Sequence, residues 1–96
     1  MNYFEAMSIV SHQVSEKAMI EQLAEECAEL SQSALKHIRA IGNGNPTPKT
    51  PEETWRSMVE EFNDICLIAN IIGLEEKAKI KEGKMIRWAN RIIDDR

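Results

Sequence analysis

The sequence predicts an all-α protein: an antiparallel helical bundle of three main helices and a short N-terminal helix, completed by oligomerisation. Three observations carry this. Thirteen of the sixteen acidic residues are Glu and only three are Asp, a bias toward helix because Asp competes for the backbone where Glu does not. All three prolines fall between Pro46 and Pro51, so the strongest helix breakers are confined to one stretch. Apolar residues recur at spacings of three and four, and no segment alternates as a strand would.

Each element follows in order. Residues 2 to 12 are expected to form a short helix using Tyr3, Phe4 and Met7. Leu23, Cys27, Leu30, Ala34, Ile38 and Ile41 make a helical stripe, which predicts one long helix from about Ser15 to Ile41 with Gly42 as its stop. At 1.5 Å per residue such a helix is ~40 Å long. The stretch Gly42-Asn43-Gly44-Asn45-Pro46-Thr47-Pro48-Lys49 is the one clear loop. After it, Thr50-Pro51-Glu52-Glu53 supplies a hydroxyl cap, proline at the first position and acids in the first turn, opening a helix that runs to Ile72 and stops at Gly73. The half of this helix from Phe62 to Ile72 is apolar on nearly every side and needs cover all round. One short chain has too few helices to provide that, so a second copy is expected to cover part of it. A last helix from about Glu75 to Asp94 sets Ala78, Met85, Ala89 and Ile92 on one side.

The 96 residues fit a single domain spanning 1–96, and 43% hydrophobic with 29% charged residues is a globular rather than a disordered composition. No apolar run approaches the roughly 20 residues a membrane span needs, so no membrane partner is expected. The stretch Met1-Asn2-Tyr3-Phe4-Glu5 lacks a basic region and an apolar stretch, which makes a cytoplasmic location the expectation. Cys27 and Cys66 make neither a disulfide framework nor a zinc site and read as small core residues. Charge is unevenly spread: residues 1–73 carry five Lys/Arg against eleven Asp/Glu, and residues 74–96 carry seven against five. An acidic body with a basic final segment argues against a nucleic-acid partner. It suits a site that holds cations beside phosphates.

Two patterns carry the chemistry, Glu25-Glu26-Cys27-Ala28-Glu29-Leu30 and Glu60-Glu61-Phe62-Asn63-Asp64. Within them Glu26 with Glu29, and Glu61 with Asp64, lie three apart on one helix face. An isolated pair of this kind is usually a solvated face. Here both pairs sit mid-helix, away from the first turns where acids are favoured, and both are flanked by apolar residues. One loop joins the two helices, so antiparallel packing brings the pairs face to face. Four crowded carboxylates repel one another by several kcal/mol when partly buried. A divalent cation relieves this; all-oxygen ligands favour Mg²⁺, with Mn²⁺ as a substitute, and the chemistry this suggests is hydrolysis of a phosphate ester or anhydride. A di-iron centre needs Glu-x-x-His pairs, but the residues three before His37 and His12 are Ala34 and Ile9. Neither histidine is given a role.

Taken together, Glu25-Glu26-x-x-Glu29-Leu30 followed by Glu61-x-x-Asp64 resembles the signature of the MazG-like, all-α nucleoside triphosphate pyrophosphohydrolases, over residues 15 to 91. The resemblance implies a dimer or tetramer that uses Mg²⁺ to hydrolyse a (d)NTP to the monophosphate and pyrophosphate, in the manner of nucleotide-pool house-cleaning. It implies Glu26, Glu29, Glu61 and Asp64 as metal ligands, with Glu25 and Glu26 as catalytic residues and Glu25 orienting the attacking water. The stretch between Glu29 and Glu61 is longer than the family's, because of the Gly/Asn/Pro loop.

Basic residues complete the expectation. Lys36 lies two turns beyond Glu29 on the same face, with Arg39 a near neighbour, and either is a candidate to bind substrate phosphate, although a cation near a helix C-terminus is favoured in any case. Lys84-x-x-Arg87 sits where the family often has a basic pair for the triphosphate, and Arg91 follows on the same stripe. Trp55, Trp88, Tyr3 and Phe4 read first as core or interface residues and second as base-stacking ones. Asn63 and Asn70, in the most apolar helix, each need a polar partner. The competing expectation is a non-catalytic oligomeric module whose acidic faces bind a basic partner.

Overall fold

The computed structural model describes residues 1–42 and 45–95. Four helices, α1 (Tyr3–Gln13), α2 (Glu16–Ala40), α3 (Pro51–Ile72) and α4 (Ala78–Asp94), make the described residues all-α, with no strand among them. Asn43 and Gly44 of the expected loop lie outside the described residues.

Local chemistry sets each helix boundary. Asn2 caps α1, its side-chain oxygen accepting from the Glu5 backbone N–H at 2.8 Å, and the Ser15 hydroxyl does the same for Ala18 at the start of α2. At the head of α3, Thr50 and Glu53 form a reciprocal capping box, with Pro51 at the first helical position. The helix ends where expected: Gly73 takes φ +82°, and the Leu74 N–H reaches back to the Ala69 carbonyl at 2.9 Å. Gly42 likewise follows the end of α2 at φ +98°. The last helix begins at Ala78 rather than at Glu75. No capping side chain stands before it, and Glu75 and Glu76 instead pair with Lys77 and Lys81.

The main packing unit is the antiparallel hairpin of α2 and α3. Its register is visible in cross-helix neighbours: His37 meets Thr54 near the loop, and Glu26 and Glu29 converge on Glu61 further along. The end of α1 closes over the far end of this hairpin around Met19, where Ser11, Val14, Ile71 and Ile72 surround a small cavity. By contrast, α4 has no extensive contact with any other described helix.

The result is an open shape. Met19 and Ile68 are the buried apolar residues, while Phe62, Val59, Leu67 and the apolar side of α4 (Met85, Ile92) stay exposed. Cys27, expected in the core, is exposed, and Cys66 is half-buried. The chain exposes 7937 Å², against about 5,600 Å² for a compact monomer of this mass. Its radius of gyration is 17.5 Å, where a compact chain of this length has about 12.5 Å. No described helix is long and apolar enough to cross a membrane.

Candidate metal centre

The centre is built on the middle of the hairpin. Glu26 and Glu29 come from consecutive turns of α2, and Glu61 comes from α3; one carboxylate oxygen from each lies within 4.8 Å of the others. The three-residue spacing puts Glu26 and Glu29 on one face, and the antiparallel register lays Glu61 opposite. Leu23, Leu30 and Ile65 beside them are half-buried, so the acids sit at the edge of the hairpin's apolar seam.

Two of these oxygens have no partner. Glu26 Oε1 accepts a hydrogen bond from Gln22 Nε2 at 2.8 Å, but Glu26 Oε2 and Glu61 Oε2 are buried with no hydrogen-bond donor. Buried polar atoms in native proteins are nearly always paired, so these two donorless acceptors mark a group of carboxylates that could hold a metal ion. The Glu26 carboxyl shows the strain. Its largest single influence, the Gln22 hydrogen bond, lowers its pKa, yet burial and the negative charges of Glu29 and Asp64 together hold it above the ordinary glutamate value. An all-carboxylate set from two rigid helices fits a hard divalent cation such as Mg²⁺ or Mn²⁺.

The other expected residues divide. Asp64 acts on Glu26 through its charge, but it is exposed and lies outside the group of converging ligand atoms. Glu25 is also exposed and outside that group. Lys36 lies in the wall of a small polar cavity that reaches Glu61. Lys84, Arg87 and Arg91 are carried on α4, and within one chain the fold does not bring them to the acids. Asn63 has its partner in the Val59 carbonyl, 2.8 Å away. Trp55 and Trp88 stand more than half exposed rather than in a core.

His37 and Thr54, which sequence reasoning left without a role, form the hairpin's buried polar contact. The Thr54 hydroxyl lies 3.1–3.2 Å from the carbonyls of Pro51 and Thr50, which can only accept. It also lies 2.9 Å from His37 Nδ1, and the imidazole tautomer sets which of the two donates. The Trp55 ring lies 5.5 Å from the imidazole. Spacing offered a signal here, since Thr54 is seven residues before Glu61 and shares its face. The pairing with His37 needs the register of the two helices.

No protein-family profile matches the chain, and neither a curated protein nor a solved structure does. Fold and site together define an all-α chain that carries an acidic centre on a helical hairpin.

Proposed function

We propose that the protein is a divalent-metal-dependent nucleoside triphosphate pyrophosphohydrolase of the MazG-like kind, converting a (d)NTP and water to a (d)NMP and pyrophosphate. The observation that carries the reading is the pair of buried, donorless oxygens on Glu26 and Glu61, converging with a carboxylate oxygen of Glu29. These three residues would hold the cation, with Asp64 adding negative charge beside them. A cation bound there supplies neutralisation of the phosphate oxygens and an acidified water.

The chain's own residues do the remaining work. Gln22 engages Oε1 of Glu26 by its hydrogen bond and leaves Oε2 without a donor. Glu25, one residue from the centre, takes the role of orienting the attacking water that the resemblance gives it. Attack at the α-phosphorus forms one P–O bond to water and breaks the bond to the β-phosphate bridging oxygen, which leaves with pyrophosphate. Cationic side chains must meet the charge that develops there.

Lys84, Arg87 and Arg91 are proposed for that task from the α4 of a second copy. Support comes from the surface: the chain exposes roughly 2,300 Å² more than a compact monomer would, and obligate dimers bury about 2,000–5,000 Å² in total. Both α4 and the outer face of α3 present apolar side chains that a homo-oligomer would cover.

The test is product analysis on a panel of NTPs and dNTPs with Mg²⁺. Pyrophosphate and monophosphate in equal amounts, lost in Glu29→Gln, is the expected result. Release of single phosphates would reject attack at the α-phosphorus. No turnover by a folded, metal-supplied protein would overturn the enzymatic reading.

A further inference from the structure

Beside the acid centre, and sharing Glu61 with it, lies a small polar cavity. It measures about 140 Å³ and is walled by Ser33 and Lys36 of α2, Lys49 just before α3, and Thr54, Ser57 and Glu61 of α3. Helical spacing builds it. Ser33 lies one turn beyond Glu29 and Lys36 one turn further, while Ser57 and Thr54 lie one and two turns before Glu61. The antiparallel hairpin lays these two rows against each other, and the loop brings Lys49 to the same wall.

Its wall is organised for an anion. Thr54 is 2% exposed, and His37 and the carbonyls of α3's cap fix its hydroxyl. Lys36 and Lys49 both border the cavity, and neither belongs to an ion pair among the described residues. Glu61 offsets at most one of them while it also faces Glu26 and Glu29. The two lysines bring two positive charges to a wall that holds one carboxylate. A phosphate bound to a cation at the acids would relieve both excesses.

We propose that this cavity is a phosphoryl-binding subsite, in which Lys36 and Lys49 hold a terminal phosphoryl group of the substrate and then the pyrophosphate product. Its size limits what enters. The space admits one phosphoryl group and falls below the roughly 300 Å³ at which pockets for small organic ligands begin. Base and sugar therefore stay outside it, and the subsite reads the phosphoanhydride end irrespective of the base. Lys49 belongs to this chain's long loop, so the loop contributes directly to substrate binding.

The inference rests on the pyrophosphohydrolase reading for its substrate, and the test separates the two. Pyrophosphate and inorganic phosphate are titrated by calorimetry into wild type, Lys36→Gln, Lys49→Gln, the double variant and the distant control Lys17→Gln, first in EDTA and then with Mg²⁺. Circular dichroism checks the fold of each. Each single variant should bind pyrophosphate at least about tenfold more weakly, as loss of a charge-assisted contact implies. Lys17→Gln should stay within about twofold of wild type, and Lys49→Arg should recover most of the affinity. Absence of saturable pyrophosphate binding by wild type, or a double variant that binds like wild type, overturns the subsite. Lysine-dependent binding without turnover on any nucleotide keeps the subsite and removes the pyrophosphohydrolase reading. Turnover with lysine-independent binding does the reverse.

Discussion

Replacing Glu61 by Gln should invert the usual consequence of touching a well-placed residue: the variant is more stable than wild type without metal and less stable with it. In the metal-free protein, Oε2 of Glu61 and Oε2 of Glu26 are buried without donors. The amide of Gln removes one negative charge and offers an N–H to Glu26. Relief of an unsatisfied buried group amounts to about 1–3 kcal/mol, and Glu61 is only half-buried, so about 1 kcal/mol is expected. For a chain of this size that raises Tm by about 4–8 °C. With Mg²⁺ at a hundredfold excess over Kd, wild type gains about 2.7 kcal/mol, or roughly 11–20 °C on the same scale. A hundredfold loss of affinity in the variant leaves a gain of only about 0.4 kcal/mol, or about 2–3 °C. Scanning calorimetry in EDTA and in Mg²⁺, at one fixed protein concentration, should therefore show the order of the two melting temperatures crossing. A variant that is destabilised in EDTA and still shows the full Mg²⁺ response would refute the metal centre.

Three further outcomes are expected. Because Glu26 holds its proton to a higher pH in the folded chain than in the unfolded one, the folded state is favoured at acid pH. Metal-free stability should then fall as pH rises from about 4 through the elevated Glu26 value, Mg²⁺ should reverse that slope, and a Glu26→Gln variant should lack it in calorimetric scans. Gly73 sits at φ +82° with open space where a Cβ would stand, so Gly73→Ala should cost about 1–2 kcal/mol by backbone strain alone, read as a lower midpoint in urea. Finally, Glu29→Gln and a Lys84→Ala/Arg87→Ala double variant should each be inactive, and mixing them should restore activity, since a hybrid dimer holds one intact composite site. Failure to complement, with subunit exchange shown by light scattering or labelled chains, would return α4 to its own chain.

Much of the helical layout was legible because its signals are local. The Thr50-Pro51 start, the stops at Gly42 and Gly73, and the cap at Ser15 each depend on a few neighbouring residues. The start of α4 was less legible, since Glu75 and Glu76 are good helix formers but nothing ahead of them caps the backbone. The acids at Glu26, Glu29 and Glu61 were readable from their spacing and their apolar flanks. Lys49 was not, because a loop residue has no periodicity to place it; its position depends on how the chain returns from α2 to α3.

The all-α class, the four helices and the rows of polar residues along the facing sides of α2 and α3 are legible in the amino-acid order, because side chains three and four apart share a face whatever surrounds them. Packing of the helices in three dimensions sets which row meets which. The antiparallel register pairs His37 with Thr54, joins Glu61 to Glu26 and Glu29 while leaving Asp64 outside, and sets a cavity lined by Lys36 and Lys49 beside the acids. It also left α4 without a place on its own chain. Both follow from one physical fact: contacts between distant segments depend on how helices pack, and spacing along a single helix carries no information about its partner.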